Sequence, residues 1–484
     1  MRGFEALEAR AMLAGDVTIL QVGTVLTITG DAAANILTIE PGPGGAVRVE
    51  GIATTLNGAA GPNDYFGVTD IVANLGAGAD DILVQDLGAL VNLTINGEAD
   101  GDLITVENVG VSGTTTLNGG TGADTIDLID STVTNLTISG GLNDDDINVT
   151  GLSNTVAGTL TISGDDGNDS IDFLDATTTL VSPLTINGGI GDDTLRVNNA
   201  TLATLTVNGD AGDDTIILGI DFRPDITTVA GQNTAIAAGT LTVNGTLTVN
   251  GDAGDDTITA YRVFGTANWT VNTGSATDVL GDVNLFETYW TVSNSLTVTG
   301  GVGVDNLNIF YHTANGLTTL NAGAGNDFVQ VVISRFVVNA TFNVEAGADV
   351  LAIDTNQFDA DLVMDGGLDA DYLLLAASVI EADVTIFGRE GNDYGLIGKH
   401  ADGSTGGNLV ETGLLQVDAG AGNDFFDISN NALLQFYANL GDDDDNVVTG
   451  FNAISTPSFM DGGLGYNTVN RTSGQNVTYY NFAN

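Results

Sequence analysis

Cysteine is absent from this chain, which excludes a disulfide framework and a thiolate metal site. Proline is nearly absent, with 6 residues in 484, and no Ser/Pro-rich linker divides a length that would ordinarily suggest several domains. Bases are scarce. Lys and Arg number 10 against 63 Asp and Glu, so the formal net charge of −53 repels a nucleic-acid backbone and makes cations the natural partners. No apolar run reaches the length of a membrane span, and the first residues lack the hydrophobic stretch of a secretory signal. No transmembrane segment is therefore expected, and no export route is legible.

What is plentiful is arranged periodically. Of the residues, 43% are hydrophobic, and Val, Ile and Leu alternate with Thr and Asn, so the chain can bury a core despite its charge. A Gly-Asp segment recurs from end to end: GGTGADTI from Gly119, GDDGNDSI from Gly164, GGIGDDTL from Gly188, GDAGDDTI from Gly209 and Gly251, and AGAGNDFF from Ala419. Successive turn-closing acids, Asp124, Asp145, Asp169, Asp193 and Asp214 among them, recur about every 22 residues. The series also takes in Asp278 and Asp349 and ends on Asn467. The step from Asp214 to Asp256 reads as two periods with one turn lost, and the longer steps before Asp305 and Asp424 read as loop insertions.

Short alternating strands flank each turn, such as Leu160-Thr161-Ile162, Leu184-Thr185-Ile186 and Leu205-Thr206-Val207 before it and Ile126-Asp127-Leu128 after it. Glycine admits the tight corner, and Asp and Asn bond its backbone. A unit of about 22 residues is too short for strand plus helix and suits two or three strands joined by corners. The expected fold is all-β: a single long parallel β-solenoid of the right-handed kind. About 20 coils over residues 17–470 would make a rod on the order of 100 Å, with a cap or sorting motif at 1–16 and a C-terminal cap at 471–484. Ile162, Ile186 and Val207 are expected in one inward column.

The acids raise a physical problem. Like charges stacked at ~4.8 Å repel by roughly 1 kcal/mol per pair even in water, and extra acids such as Asp192, Asp213, Asp255 and Asp443 add to this. Either cations intervene, or Asp and Asn serve as turn chemistry and solvation. The turn resembles the hemolysin-type RTX repeat, GGxGxDxUx, most closely at Gly119, Gly120, Gly122 and Asp124, at Gly188, Gly189, Gly191 and Asp193, and at Gly300, Gly301, Gly303 and Asp305. That resemblance implies Ca²⁺ shared between stacked turns. Its ligands would be Asp80, Asp102, Asp124, Asp145, Asp169, Asp193, Asp214, Asp256, Asp305, Asp327, Asp371, Asp393, Asp424 and Asp445. RTX nonapeptides usually follow one another directly, whereas here one turn falls in each coil, so calcium would line one edge.

Phe4, Leu7, Ala11 and Ala14 have helical spacing and suit an amphipathic cap. The stretch Phe4 to Ala14 also resembles the LExRxLLA motif of planctomycete surface proteins, which implies export or cell-surface sorting. Tyr479, Tyr480 and Phe482 are placed to cover the last coil. A polysaccharide lyase or hydrolase finds little support, because the bases are Lys399 and a few scattered Arg, while His312 and His400 are isolated. Tyr261, Phe264, Trp269, Phe286, Tyr289, Trp290, Phe310 and Tyr311 cluster in the least regular region, where they either stack on a glycan or fill a widened core. Thr137, Thr161, Thr185, Thr206 and Thr248 suggest an outward ladder as in ice-binding solenoids, lapsing at Asn343 and Gln416. The leading expectation is an extracellular, calcium-binding structural or adhesive component, with cell-surface glycans or identical subunits as further partners. A glycan-binding solenoid using residues 261–312 stands second.

Overall fold

The computed structural model describes residues 15–154, 157–174, 179–219, 240–274, 283–450, 452–471 and 476–482, with 283–287, 289 and 290 described by backbone alone. The proposed N-terminal cap and sorting motif, Asp278, and the side chains of Phe286, Tyr289 and Trp290 lie outside the described residues. The described residues are mostly strand and contain no α-helix, and they form a parallel β-solenoid of about 17 turns with roughly 22 residues per turn.

The turn count is lower than length divided by period because several stretches add residues without adding a turn. In the N-terminal region Asp16–Val22 pairs antiparallel with Val25–Thr29, and Ala46–Gly51 pairs antiparallel with both Ile36–Pro41 and Asn63–Phe66. The 42-residue step from Asp214 to Asp256 is a single turn, not two with one lost. Leu205–Ala211 pairs directly with Thr246–Ala253, and Asp214 donates its N–H to Asp256. The 31-residue step from Asp393 to Asp424 is likewise one turn, its extra residues looping out between Tyr394–Ile397 and Leu409–Ala421.

By compactness the chain divides into Met1–Ser182 and Pro183–Asn484. In the first unit, register aligns Ile95, Leu117, Ile138 and Ile162 in one column before the turn. A second column after the turn aligns Ile82, Ile104, Ile126, Ile147 and Ile171. All nine side chains are fully buried. In the second unit the column runs Ile186, Val207, Val249, Val271, Val298, Leu320, Phe342, Met364 and Ile386. The inward placement expected of Ile162, Ile186 and Val207 holds within each unit.

Each buried aliphatic side chain contributes about 1.5–3 kcal/mol, and β-branched residues suit the pleat. Where turns carry a third strand, as at Arg335–Phe336 and Gln357–Phe358, its inward residues meet the same core. Phe336 and Phe358 stack at 5.0 Å, and Phe342 meets both edge-on.

Candidate functional site

The aspartate that closes each turn points into the solenoid. From Asp80 to Asp445 these side chains are at most 3% exposed. The carboxylate Oδ1 accepts the backbone N–H of the aspartate one turn earlier: Asp102 from Asp80 at 2.7 Å, Asp124 from Asp102 at 2.7 Å, Asp371 from Asp349 at 2.9 Å and Asp445 from Asp424 at 3.0 Å. All fourteen candidate ligands belong to this ladder as donor, acceptor or both.

Three members were not among those fourteen. Asp349 takes the Asp327 N–H at 2.6 Å, so its loose turn sequence does not disturb its place. Asn35 donates its N–H to Asp80, and Asn467 accepts that of Asp445. Beside the ladder, the Thr273 hydroxyl donates to Asp305 Oδ1 at 2.9 Å.

A second ladder runs on the solvent side in the opposite sense. Where the residue before the inner aspartate is itself Asp or Asn, its Oδ1 accepts the N–H of the next turn: Asp192 from Asp213 at 3.0 Å, Asp213 from Asp255 at 2.9 Å, Asn392 from Asn423 at 2.7 Å and Asn423 from Asp444 at 3.0 Å. Those corners are thus stitched backward from inside and forward from outside. These bonds are the turn chemistry that the sequence offered as the alternative to cation binding for Asp and Asn.

The inner ladder leaves one atom unsatisfied. In Asp80, Asp102, Asp124, Asp145, Asp214, Asp327, Asp371, Asp393, Asp424 and Asp445, Oδ2 is buried and has no hydrogen-bond partner. Desolvation dominates their ionisation. It lifts Asp371 and Asp424 to about 8 and Asp102, Asp145 and Asp327 to about 7, while the backbone N–H pulls each down and neighbouring carboxylates push each up.

The first glycine of the turn makes room for this oxygen. A methyl group on Gly119 would lie 2.4 Å from Asp124 Oδ2 and 2.5 Å from the Gly140 carbonyl oxygen, and one on Gly209 would lie 2.3 Å from Asp214 Oδ2. Gly119→Ala is therefore expected to destabilise the fold by about 1–3 kcal/mol. Gly88→Ala, where a methyl meets nothing within 4 Å, should be close to neutral. Thermal denaturation of the two variants checks this, and equal melting temperatures would refute the steric role.

The donor set is oxygen only, which suits a hard cation such as Ca²⁺. Among the described residues no three His, Asp or Glu side chains form a metal cluster, so turn carbonyls would have to complete any coordination shell. Such carbonyls are close at hand. A methyl group on Gly97 would lie 2.3 Å from the Gly119 carbonyl oxygen and 2.4 Å from Asp102 Oδ2, so both oxygens border the space that this glycine leaves open. The orphan Oδ2 and its neighbouring carbonyl fit a cation, and they fit a proton equally.

At another corner a neutral inner ladder carries no charge problem. Backbone N–H groups pass from His312 to Ser334 Oγ, Ser334 to Asn356 Oδ1, Asn356 to Ser378 Oγ and Ser378 to Asn408 Oδ1. His312 is buried between Thr291 and Ser293 and edge-on to Trp269, and burial lowers its pKa to about 3. Trp269 and Tyr261 are also buried, whereas Tyr311 is 42% exposed. Those buried rings pack the core rather than face a glycan. Lys399 pairs with Asp427 at 2.5 Å, and His400 with Asp354 at 2.8 Å.

Outside, threonines line up through Thr185, Thr206, Thr248, Thr270, Thr297, Thr319 and Thr341. Asn343 is no lapse, because it belongs to the neighbouring column. The threonine column first lapses at Val363 and again at Gln416. No protein-family model, curated protein or solved structure matches this chain.

Proposed function

We propose that the chain is an extracellular structural or adhesive solenoid whose stacking is completed by calcium. The observation that carries this reading is the repeated inner aspartate with a buried, unpartnered Oδ2, turn after turn. A cleft enzyme concentrates its chemistry in one place, whereas here the same unsatisfied oxygen recurs along the ladder in both units. Bound calcium would supply positive charge to those oxygens and offset their desolvation. Asp102, Asp124, Asp145, Asp371, Asp393 and Asp424, with the turn carbonyls, would hold it. The chain's own part is to aim Oδ1 at the preceding turn, keep Oδ2 out of water, and leave the glycine α-carbon bare beside it. The extracellular setting rests on the resemblance of the turns to RTX repeats and of the N-terminal stretch to a surface-protein motif, and it suits a compartment where calcium is abundant.

Titration with calcium at pH 8, followed by circular dichroism and melting temperature, tests the reading. Calcium should raise the melting temperature at many-fold lower concentration than magnesium, which demands a smaller octahedral cage and sheds water reluctantly. Unchanged melting in chelator, calcium and magnesium would leave the ladder as turn chemistry alone.

A further inference from the structure

One stretch of the second unit breaks the repeat on its outer face, and the breaks converge. The column beside the threonines is uncharged for seven turns, through Asn187, Asn208, Asn250, Asn272, Thr299, Asn321 and Asn343. It then becomes Asp365, Phe387 and Asp418. In the next column Arg389 stands between Gly367 and Gly420 in register. Its φ of 84° lies in the left-handed region that those glycines occupy at 96° and 107°. Other non-glycine residues take this corner angle, Glu345 two turns earlier at 69° and Asp210 and Asp252 at 74°, so what sets Arg389 apart is its positive charge among acids and glycines.

Its side chain is fixed in place. The Arg389 guanidinium forks onto Asp365, with Nε at 2.9 Å and Nη2 at 2.6 Å, and lies over the Phe387 ring at 4.0 Å from its centroid. The three irregular residues come from two successive turns and form one fixed wall. That wall lines a groove of about 500 Å³, within the size range of small-ligand sites, together with Asn343, Glu345 and Asp418.

We propose that this groove binds a neutral oligosaccharide. Hydroxyl groups need donors and acceptors together, and the groove offers both. The remaining N–H groups of Arg389 and the Asn343 amide donate, while Glu345 and Asp418 accept. The Phe387 ring, with the guanidinium stacked on it, gives a flat wall against which a sugar ring can lie. An acidic sugar meets excess carboxylate, because Arg389 is already matched by Asp365. A cationic peptide meets the guanidinium in the wall itself. Departures from the repeat pattern are where a regular array is expected to carry function.

The test is titration calorimetry of the full chain, in calcium, against short neutral gluco-, manno-, galacto- and xylo-oligosaccharides, with oligolysine as the cationic comparison. At least one sugar should bind with an affinity that added salt leaves unchanged. Phe387→Ala and Arg389→Gly should each weaken it at least about tenfold. Arg389→Gly restores the residue of the adjacent turns and relieves the φ, so its melting temperature should hold or rise, which separates loss of the site from loss of the fold. Three outcomes overturn the proposal: no sugar in the panel binds, both variants bind as wild type does, or oligolysine alone binds and salt abolishes it. None depends on whether the aspartate ladder holds calcium, because binding and melting are read separately.

Discussion

In chelator, the apparent melting temperature should fall by about 10 °C or more as pH rises from about 5 to about 9. The inner ladder dictates the sign. Burial holds Asp371 and Asp424 at about 8, Asp102, Asp145, Asp256 and Asp327 at about 7, and Asp80, Asp214 and Asp445 at about 6, against an ordinary value of 3.8. Between those limits the folded chain binds more protons than the unfolded chain, so stability declines as pH increases. The contribution is fully present below about pH 4 and is lost as pH passes through the folded values. Each carboxyl contributes on the order of a few kcal/mol, and neighbours titrate as a coupled set rather than as a sum. Surface acids act in the same direction, but salt screens them and leaves the buried ladder largely unscreened. Melting curves across pH in high salt isolate the ladder, and calcium should flatten the profile. A melting temperature that climbs with pH in chelator would show that the ladder is not protonated.

Asp371→Asn should raise the melting temperature in chelator at pH 8, and Asp371→Ala should lower it. The chain contains the precedent. Asn467 occupies the ladder position of its turn, accepts the Asp445 N–H at 2.7 Å, and donates its amide to the Gly462 carbonyl. By position, an amide at 371 would keep the bond from Asp349 and donate to Gly366, supplying permanently the hydrogen that a carboxylate obtains only by protonation. Alanine instead leaves the buried Asp349 N–H unpaired, at a cost of about 1–3 kcal/mol. With calcium present the order of wild type and Asp371→Asn should invert, because the amide lacks the charge that a cation would neutralise. Equal losses for the Asn and Ala variants would mean that the unpartnered oxygen is no liability.

The period, the strands and the ladder membership were legible because a solenoid writes each contact into the sequence at a fixed interval. Asp124 and Asp145 meet because they are equivalent, not because either is unusual. Direction was less legible. An aspartate in a Gly-rich turn reads as solvent-facing, and only the register shows that Asp124 turns inward while Asp192 and Asp213 remain outside. Thr341 was missed as a ladder continuation because column membership depends on pairing, and Asn343 lies two residues away on the same face. The Arg389 wall was illegible for a different reason. Phe387 and Arg389 meet Asp365 only through the stacking of two turns, a contact that neither residue announces in its own repeat.

The inner ladder also counts turns rather than residues. Asp214 reaches Asp256 across 42 residues at 3.0 Å, and Asp393 reaches Asp424 across 31 at 2.8 Å, much as Asp102 reaches Asp124 across 22 at 2.7 Å. Every rung therefore offers the same socket to whichever rung comes next. A recombination event that copies or deletes one whole repeat leaves each aspartate facing another, with no compensating substitution required. An insertion of any length between rungs can be set aside in a loop. Unequal crossing-over, which would ruin a core of unique contacts, would change the number of turns here without breaking the ladder.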